Sequence, residues 1–325
     1  MPAQIIDGKA IAAQMKLEIA DEVKALAAAG VKPKLVALMV GESAPSKIYA
    51  GAQARSCEEV GIAHELLALP AEISQADLLA KVAALNADAS VSGLLLLLPF
   101  PAHIDTRVVQ QTITPAKDVE GMNPVNMGKL FYGGAAVLPC TPASAVELLR
   151  RTCPDLAGKE VVIVGHSEIV GKPIAMILLQ SLNASPTVTV CHVATKDLAF
   201  HTRRADVVIV ATGVPQVRWQ RYSAKKKAGE NPTVPDLKGF IKADMLKEGA
   251  IVIDVAINRI PRALDAAGNA TLNDKGKPDM VTVGDVDFEA ASQKVAAITP
   301  VPGGVGEVTT AILLKNTLIC AKASI

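Results

Sequence analysis

Hydrophobic and polar positions follow one another along the N-terminal part of the chain in blocks that predict helices and strands in turn. Apolar positions repeat with helical spacing over residues 10–29, where Asp7 marks the start and Gly30 the end of a helix. The blocks that follow predict a strand, a helix, a strand, a helix capped by Ser74, and a strand, over residues 34–40, 46–60, 64–69, 74–86 and 91–98. Strands that alternate with helices are typical of a parallel sheet.

Residues 99–141 interrupt this alternation, because they are rich in Pro, Gly, Asn and Asp and have weak periodicity. Such a stretch inside a compact domain is usually functional or disordered. After a predicted helix over 143–151, a second alternation predicts a strand, a helix, a strand, a short helix near Asp197 and two strands, over residues 160–164, 172–182, 187–191, 206–211 and 250–255. Residues 216–238 are predicted to be an exposed insertion, and a final helix is predicted over 307–321.

The two alternations predict an α/β protein with two domains. An N-terminal α/β domain is expected over residues 1–150, and a Rossmann-type, doubly wound dinucleotide-binding domain over 151–299. The chain has 325 residues, enough for two domains of ordinary size. Half of it is hydrophobic and only 3% is aromatic, a composition that suits buried parallel strands.

Charge and cysteine content narrow the class of protein. The net charge of +1 gives no electrostatic reason to expect a nucleic acid or a membrane surface as partner, and the run Lys225–Lys227 is predicted to lie in a solvated loop. The five cysteines form no C-x-x-C pair, which argues against a disulfide framework and against a zinc site. The N-terminus lacks a basic start followed by an apolar run, so we expect a cytoplasmic protein without a signal peptide or metal.

The segment VVIVGHSEIVGKP, residues 161–173, predicts a phosphate-binding turn. An apolar strand enters Gly165, Ser167 and Gly171 before a helix begins. Glycines let a backbone turn sharply and approach a pyrophosphate, whose charge the helix N-terminus then meets. The spacing G-x-S-x-x-x-G differs from the general G-x-G-x-x-G fingerprint, and an ordinary turn with two structural glycines would give the same pattern.

Two later strands end in residues suited to the same ligand. Residues 205–215 end a strand at Thr212 and Gly213, where a backbone can pass close to a ribose or nicotinamide, and residues 249–259 end another strand in polar groups near Ile257. The second strand of the domain ends in Cys-His-Val-Ala-Thr, residues 191–195, with neither an acid for a 2′-hydroxyl nor a permanently charged base for a 2′-phosphate. The choice between NAD and NADP stays open, with NAD favoured.

Motifs along nearly the whole chain resemble the methylenetetrahydrofolate dehydrogenase/methenyltetrahydrofolate cyclohydrolase family, the bifunctional FolD-type proteins. Besides GHSEIVGKP and VIDVAINR, they are VGESAPSKIYAGAQARSCEEVGI, GLLLLLPFP, PAKDVEGMNPVNMGKL, PCTP, GDVDF and ITPVPGGVGEVTTAILLKNT, in the family's order. The resemblance implies a cytoplasmic homodimer with a folate cleft between its two domains, a last helix (about 300–325) that returns to the N-terminal domain, and tetrahydrofolate as the one-carbon carrier.

The resemblance also implies roles for individual residues. Tyr49 would stack on the aromatic part of the folate, and Asp118 would bind the pterin through paired hydrogen bonds. Considered singly, Tyr49 is better explained as a packing residue and Asp118 as a turn residue, and their joint occurrence at family positions reverses this. A glycine-rich wall of the site would be formed by Pro302, Gly303 and Gly304. The expected cofactor contacts are Gly165, His166, Ser167, Gly171, Thr212, Gly213 and Ile257.

This chain departs from the family at positions that carry the chemistry. Gln53 stands where the family has the lysine of Tyr-x-x-x-Lys, and Leu97 stands where it has a glutamine before Leu-Pro. Those two residues handle the proton of the cyclohydrolase step, and neither Gln53 nor Leu97 can ionise. His166, Val193 and Ala194 replace residues expected to contact a 2′-phosphate, and Glu307 replaces a proline.

Three functions remain open at this stage. The first is a methylenetetrahydrofolate dehydrogenase that has weak or no cyclohydrolase activity. The second is the full bifunctional enzyme with a different proton relay, and the third is a non-catalytic paralogue that binds folate or a nucleotide. An assay with methylenetetrahydrofolate and either cofactor separates the three.

Overall fold

The computed structural model describes residues 2–41, 44–181 and 183–323. The strands are β1 (Gln4–Ile5), β2 (Lys34–Val40), β3 (Ala63–Leu69), β4 (Gly93–Leu97), β5 (Glu160–Val164), β6 (Thr187–Cys191), β7 (Val207–Val210), β8 (Ile251–Asp254), β9 (Asn258–Pro261), β10 (Met280–Val283) and β11 (Ala297–Ile298). The helices are α1 (Gly8–Ala28), α2 (Ala44–Val60), α3 (Gln75–Ala87), α4 (Thr106–Thr112), α5 (Pro124–Tyr132), α6 (Cys140–Thr152), α7 (Gly171–Leu178), α8 (Leu198–Thr202), α9 (Val214–Lys227), α10 (Phe288–Ala291) and α11 (Val305–Lys322). None of the described helices is long and apolar enough to cross a membrane.

The chain divides into two compact units. The three-strand unit comprises Ala10–Ala143 and Val308–Ile325, and the six-strand unit comprises Met1–Lys9 and Ser144–Glu307. The division after Ala143 lies near the predicted boundary at residue 150, and the division after Glu307 lies near the predicted return at about residue 300. The α/β class and the parallel sheets predicted from the alternation are confirmed.

The three-strand unit has the parallel sheet β3-β2-β4. The central strand β2 is buried from Leu35 to Val40, which explains its unbroken apolar sequence. One face of the sheet packs against α1, α2 and α11, and the other against α3 and α4. The predicted Ser74 cap is confirmed, because its side chain accepts a hydrogen bond from the Asp77 N–H at 3.1 Å.

The six-strand unit has the parallel sheet β1-β11-β8-β7-β5-β6, with a separate antiparallel pair of β9 and β10. Strands β5, β7 and β8 are buried over most of their length. Because they are parallel neighbours, their carboxyl ends lie together at one edge of the sheet. Strand β6 is an outer strand and is largely exposed. In a doubly wound sheet, ligands bind at the carboxyl ends of the strands.

Several predicted boundaries were wrong. The irregular stretch 99–141 contains α4 and α5, whose starts are capped by Asp105 and Asn123. The predicted insertion 216–238 and the predicted lysine loop overlap α9, whose last turn is Lys225–Lys227. Leu182, the predicted end of the helix that follows Gly171, lies outside the described residues, and α7 ends at Leu178. Helices in short polar segments are difficult to predict, because capping residues rather than an apolar stripe mark where such helices begin.

Candidate functional site

Helix α2 carries Tyr49 and Gln53 one turn apart, so both lie on one face. Tyr49 is 46% exposed, whereas Gln53 is 1% exposed. Burial raises the pKa of the Tyr49 hydroxyl, and the nearby Gln53 amide lowers it in part. Within the described part of the chain, however, neither amide atom of Gln53 has a hydrogen bond of normal geometry. A buried polar group without a hydrogen bond costs about 1–3 kcal/mol of stability.

Leu97 ends β4 and lies in the core rather than at a polar surface. It is 3% exposed and belongs to the hydrophobic cluster that also contains Ala50 and Cys57 of α2. The next residue, Leu98, is 43% exposed and precedes a cis peptide bond to Pro99. The side chain of Leu97 therefore supplies no hydrogen bond to its surroundings.

Asp118 is 4% exposed, and its side chain stabilises the start of α5. Its Oδ2 accepts hydrogen bonds from the Asn123 N–H at 2.7 Å and from the Asn126 amide at 2.9 Å. Asp118 also forms an isolated parallel bridge with Leu94 of β4. One carboxylate oxygen is thus engaged inside the three-strand unit, and the role of Asp118 as pterin anchor stays a prediction.

Glu120 is the acidic residue that the sequence reasoning missed. Burial raises its pKa to about 7, the neighbouring Asp118 carboxylate adds to the increase, and the Leu96 N–H opposes it. The Glu120 charge in turn raises the pKa of Tyr49 and of Cys140. Glu120 is therefore the carboxyl group beside the exposed Tyr49 ring. Two acids separated by one residue in the KDVEG motif were the signal for it.

Helix α11 holds the backbone on which these two acids lie. The Asn316 amide, 2% exposed, donates to the Val119 carbonyl at 2.8 Å and to the Leu138 carbonyl at 2.9 Å. The Cys140 Sγ donates to the same Val119 carbonyl at 3.4 Å. Val119 lies between Asp118 and Glu120, so this network holds the backbone from which both side chains extend.

In the six-strand unit, Gly165 and Gly171 are required by the turn itself. Gly165 has φ +131°, and a Cβ atom there would collide with the Ala211 carbonyl oxygen. A Cβ on Gly171 would collide with the Gly165 carbonyl oxygen. The Ser167 hydroxyl accepts a hydrogen bond from the Val170 N–H at 3.1 Å and so closes the turn before α7. The chain's own backbone explains both glycines, and their contact with a cofactor stays a prediction.

Two histidine rings meet at the ends of β5 and β6. His166 and His192 stack with 4.6 Å between ring centroids and an interplanar angle of 36°. His166 is exposed and His192 is half-buried. The sequence placed His166 among the cofactor contacts but gave no sign of its pairing with His192, because the pairing depends on the register of two parallel strands.

Asp285, fully buried, positions the Thr212–Gly213 turn. Its Oδ2 accepts hydrogen bonds from the Thr212 N–H, the Thr212 hydroxyl and the Gly213 N–H at 2.6, 2.6 and 3.0 Å. Its Oδ1 accepts one from the Asn258 amide at 3.0 Å. The two backbone N–H groups are thus engaged within the protein, so a ligand at this turn meets its carbonyl and Cα atoms.

Asp254, at the end of β8, is a second buried acid. It is 3% exposed, and its oxygens accept hydrogen bonds from the Ala256 and Val286 N–H groups at 3.1 and 2.8 Å. Burial, together with the charge of Asp285, raises the pKa of Asp254 to about 7. The folded chain therefore holds a proton here that the unfolded chain releases above about pH 4.

This difference predicts how stability depends on pH. Because the folded pKa is the higher one, the contribution of Asp254 to stability is greatest at low pH and is lost as the pH rises toward about 7. The free energy of unfolding is measured with urea at pH 5 and at pH 8. The drop in this free energy between the two pH values should be smaller in Asp254→Asn than in wild type, by more than about 1 kcal/mol, which corresponds to roughly one pKa unit. Equal losses in the two proteins would contradict a proton on Asp254.

Pro302, Gly303 and Gly304 line one pocket together with Ile257 and Glu307. The Gly8 N–H donates to the Gly303 carbonyl at 3.0 Å, and a Cβ on Gly8 would collide with the Gly304 carbonyl oxygen. The loop is therefore held against the start of α1. Glu307 lies in the first turn of α11, where an anion is favourable to the helix dipole.

Exposed apolar side chains at the strand ends fit a dinucleotide. Ile169, Val193 and Ile257 are 53%, 62% and 66% exposed and follow β5, β6 and β8. Cofactor sites are lined mainly by apolar side chains, with a few polar groups that set orientation. Ser167 and the two histidines are polar groups of this kind at the same sheet edge.

Comparisons with known proteins agree with this arrangement. The catalytic-domain model of the family described as tetrahydrofolate dehydrogenase/cyclohydrolase matches residues 6–120. The NAD(P)-binding domain model of the same family matches residues 139–224 and 236–325.

Curated and solved proteins match over almost the entire chain. The bifunctional protein FolD of Moorella thermoacetica is 44% identical over 99% of this chain and 100% of its own length. The bifunctional FolD methylenetetrahydrofolate dehydrogenase/cyclohydrolase of Campylobacter jejuni is 40% identical, with a TM-score of 0.81 and 99% and 100% of the two chains covered. The Trypanosoma brucei FolD, solved with NADP cofactor and an inhibitor, is 32% identical with a TM-score of 0.81 over 100% and 99% of the chains.

Proposed function

We propose, from the premise that this chain belongs to the tetrahydrofolate dehydrogenase/cyclohydrolase family, that it oxidises 5,10-methylenetetrahydrofolate to 5,10-methenyltetrahydrofolate with a nicotinamide dinucleotide. We further propose that its cyclohydrolase activity is weak or lost. The observation that carries this division is the pair of Gln53 and Leu97, one a buried amide that cannot ionise and the other a core leucine. The test is an assay that follows both reactions, described in the Discussion.

The three-strand unit would bind the folate. The exposed face of Tyr49 offers an aromatic ring for stacking, whereas the Gln53 amide, one turn further along α2, is buried. Glu120 would bind the pterin N–H groups, with Asp118 as support or as a second acceptor. A carboxylate can accept two parallel hydrogen bonds, which suits an N–H and an amino group side by side.

The six-strand unit would bind the dinucleotide through Gly165, His166, Ser167, Gly171, Thr212, Gly213 and Ile257. The nicotinamide ring supplies hydride chemistry when bound, and the work of the protein is to bind and orient it. The Pro302–Gly304 loop lines a pocket of this unit and stays a predicted substrate contact. Positions without side chains allow a close approach of two ligands.

NAD is expected to serve at least as well as NADP. No arginine lies in either turn that follows β5 or β6, and residues 191–195 carry no permanently charged base, so a 2′-phosphate meets little compensating charge before Lys196. The measurement is kcat/KM for each cofactor at saturating folate. A preference for NADP of roughly tenfold, about 1.4 kcal/mol, would contradict this expectation.

The other two functions are outcomes of the same assays. The relatives named bifunctional favour a retained cyclohydrolase, for which Glu120 is a titratable group near Tyr49. A non-catalytic paralogue would bind folate or nucleotide without reducing either cofactor. The cytoplasm stays the expected location.

We propose that the protein is a homodimer paired through β6. This strand is the edge of the sheet, and Val190 on it is 44% exposed, with Phe200 of the following helix 61% exposed. An unpaired apolar edge strand is a template for a second copy, and a two-fold axis pairs identical edges.

Val190→Lys is expected to shift the protein to monomer in sedimentation experiments. Val108→Lys, on α4 and 37% exposed, is the control and should leave the dimer intact. A monomeric wild type would contradict the proposal.

A further inference from the structure

A pocket of about 330 Å³ lies in the three-strand unit, beside α5 and the end of α11. Small-molecule pockets usually have volumes of about 300–1,000 Å³, so this one suits a ligand about as large as an amino acid. Its walls are mainly apolar and include Pro115, Ala136, Val137, Ile319 and Ala323. Tyr49, Asp118 and Glu120, the expected folate contacts, are not among the described residues that line it.

Asn126 of α5 offers a hydrogen-bond acceptor to this pocket. It is 6% exposed, and its Nδ2 atom donates to the Pro115 carbonyl at 3.0 Å and to Asp118 Oδ2 at 2.9 Å. Because both partners are acceptors, these two bonds fix the orientation of the amide. Asn126 lines the pocket, and its Oδ1 oxygen accepts no hydrogen bond within the described part of the chain. An occupant with an N–H or O–H group would therefore supply the missing donor.

Lys129 adds a positive charge on the same face of α5. It lies three residues after Asn126, a spacing that brings helix side chains together. Its side chain is exposed and makes no ion pair with the described residues, and those that line the pocket include no acidic side chain. A cation without a counter-charge, beside an acceptor and apolar walls, favours a ligand that has an anionic group, a neutral donor and an apolar chain.

We propose that this pocket binds a small carboxylic acid that has an apolar side chain and a neutral N–H or O–H group next to the carboxylate. The carboxylate would bind the Lys129 ammonium, and the neutral group would donate to Asn126 Oδ1. The side chain would pack against Val137 and Ile319. Hydroxy acids and N-acylated amino acids have this chemistry. A free amino acid fits less well, because its own ammonium group would lie near Lys129.

The Asn126 side chain connects this pocket to the expected folate site. The same amide that would accept the ligand's hydrogen bond donates one to Asp118, the expected pterin contact. A hydrogen bond accepted by an amide oxygen polarises the amide and strengthens the bonds that its N–H groups donate. Ligand and folate should therefore favour each other's binding, by the same factor in both directions. This coupling rests on the proposed function, whereas the pocket itself does not.

Four compounds of similar size test the recognition. They are the hydroxy acid analogue of leucine, isocaproate, the amide of that hydroxy acid, and leucine. Isocaproate lacks the donor, the amide lacks the negative charge, and leucine has an ammonium group in place of the hydroxyl. Their dissociation constants are measured by ligand-observed NMR on the full-length protein. The hydroxy acid is expected to bind most tightly and each of the others about three- to tenfold more weakly, because each loses a hydrogen bond or gains a repulsion.

Variants locate the binding. Ala136→Phe fills the pocket from an exposed position and should abolish binding of the hydroxy acid. Lys129→Gln should remove the preference for the acid over its amide, whereas Lys81→Gln, at an exposed lysine of α3 outside the pocket, should keep it. Without the hydroxy acid, all three variants should keep the thermal midpoint and the tetrahydrofolate affinity of the wild type.

The coupling is measured as the dissociation constant of tetrahydrofolate with and without saturating hydroxy acid. This constant should fall roughly fivefold in wild type and stay unchanged in Ala136→Phe. No saturable binding of the hydroxy acid, or binding that Ala136→Phe retains, would overturn the ligand site, and equal affinity for the acid and its amide would overturn its chemistry. An unchanged tetrahydrofolate constant would overturn the coupling alone. Failure of tetrahydrofolate to bind at all would overturn the proposed function and leave the measurements on the pocket valid.

Discussion

Methenyltetrahydrofolate supplied to this protein is expected to hydrolyse at close to the uncatalysed rate, while methylenetetrahydrofolate is oxidised. Hydrolysis needs water activated on one side and a proton delivered to a ring nitrogen, and a positioned acid–base group contributes about 10²–10⁴-fold to such a step. Gln53 cannot ionise and Leu97 is buried among apolar side chains. Hydride transfer needs no such relay, so the two activities should separate.

Substitutions at the two positions test this reasoning. Gln53→Lys alone should recover little hydrolysis, because its ammonium would be buried near Leu97 without an amide to orient it. Gln53→Lys with Leu97→Gln should recover more than the sum of the single variants, since residues of one network are not additive. Gln53→Met is the control for side-chain length and should recover none. Wild-type hydrolysis as fast as the methenyl compound forms would contradict the account and assign the proton to another group, of which Glu120 is the first to examine.

Glu120→Gln is expected to weaken folate binding by roughly 1.5–3 kcal/mol, about 10- to 150-fold, because a charge-assisted hydrogen bond is lost. The matched variant is Asp118→Asn, which the sequence predicts to cost a similar amount. Asp118 also accepts hydrogen bonds from Asn123 and Asn126, so Asp118→Asn should lower the melting temperature. Glu120→Gln should leave the melting temperature unchanged. The measurements are the folate dissociation constant and the thermal midpoint of each variant.

The two acids can be distinguished by the pattern of results. Weaker folate binding in Asp118→Asn at an unchanged melting temperature, with normal binding in Glu120→Gln, would make Asp118 the anchor. The raised pKa of Glu120 adds a pH test, because folate affinity that depends on its ionised form should increase as the pH rises through about 7. The Glu120→Gln variant should lack that increase.

Local sequence patterns were sufficient to predict most of the sheet framework. The bounds of β5 and β6 agree with the predicted strands. Ser74 caps a helix where its side chain predicted a start, and the short helix predicted near Asp197 is present. These features depend on a few adjacent residues. Helices α4 and α5 were missed, because each is short and its sequence lacks a long apolar stripe.

The site itself depends on partners distant in sequence, which a local pattern does not contain. Asp285 binds Thr212 across 73 positions, and Asn316 binds Val119 across 197. The motif GDVDF contained Asp285, but only the folded chain shows that it holds the turn after β7. The stacking of His166 on His192 likewise follows from the parallel register of β5 and β6.

The central claim is tested most directly by following both products of one reaction. Purified protein is mixed with methylenetetrahydrofolate and NAD, and reduced cofactor and methenyltetrahydrofolate are recorded together by absorbance, with NADP in a parallel sample. The account predicts that the two products appear in equal amounts and that the methenyl compound persists. Reduced cofactor without accumulation of the methenyl compound would contradict the loss of cyclohydrolase activity, and no reduction of either cofactor would contradict the dehydrogenase.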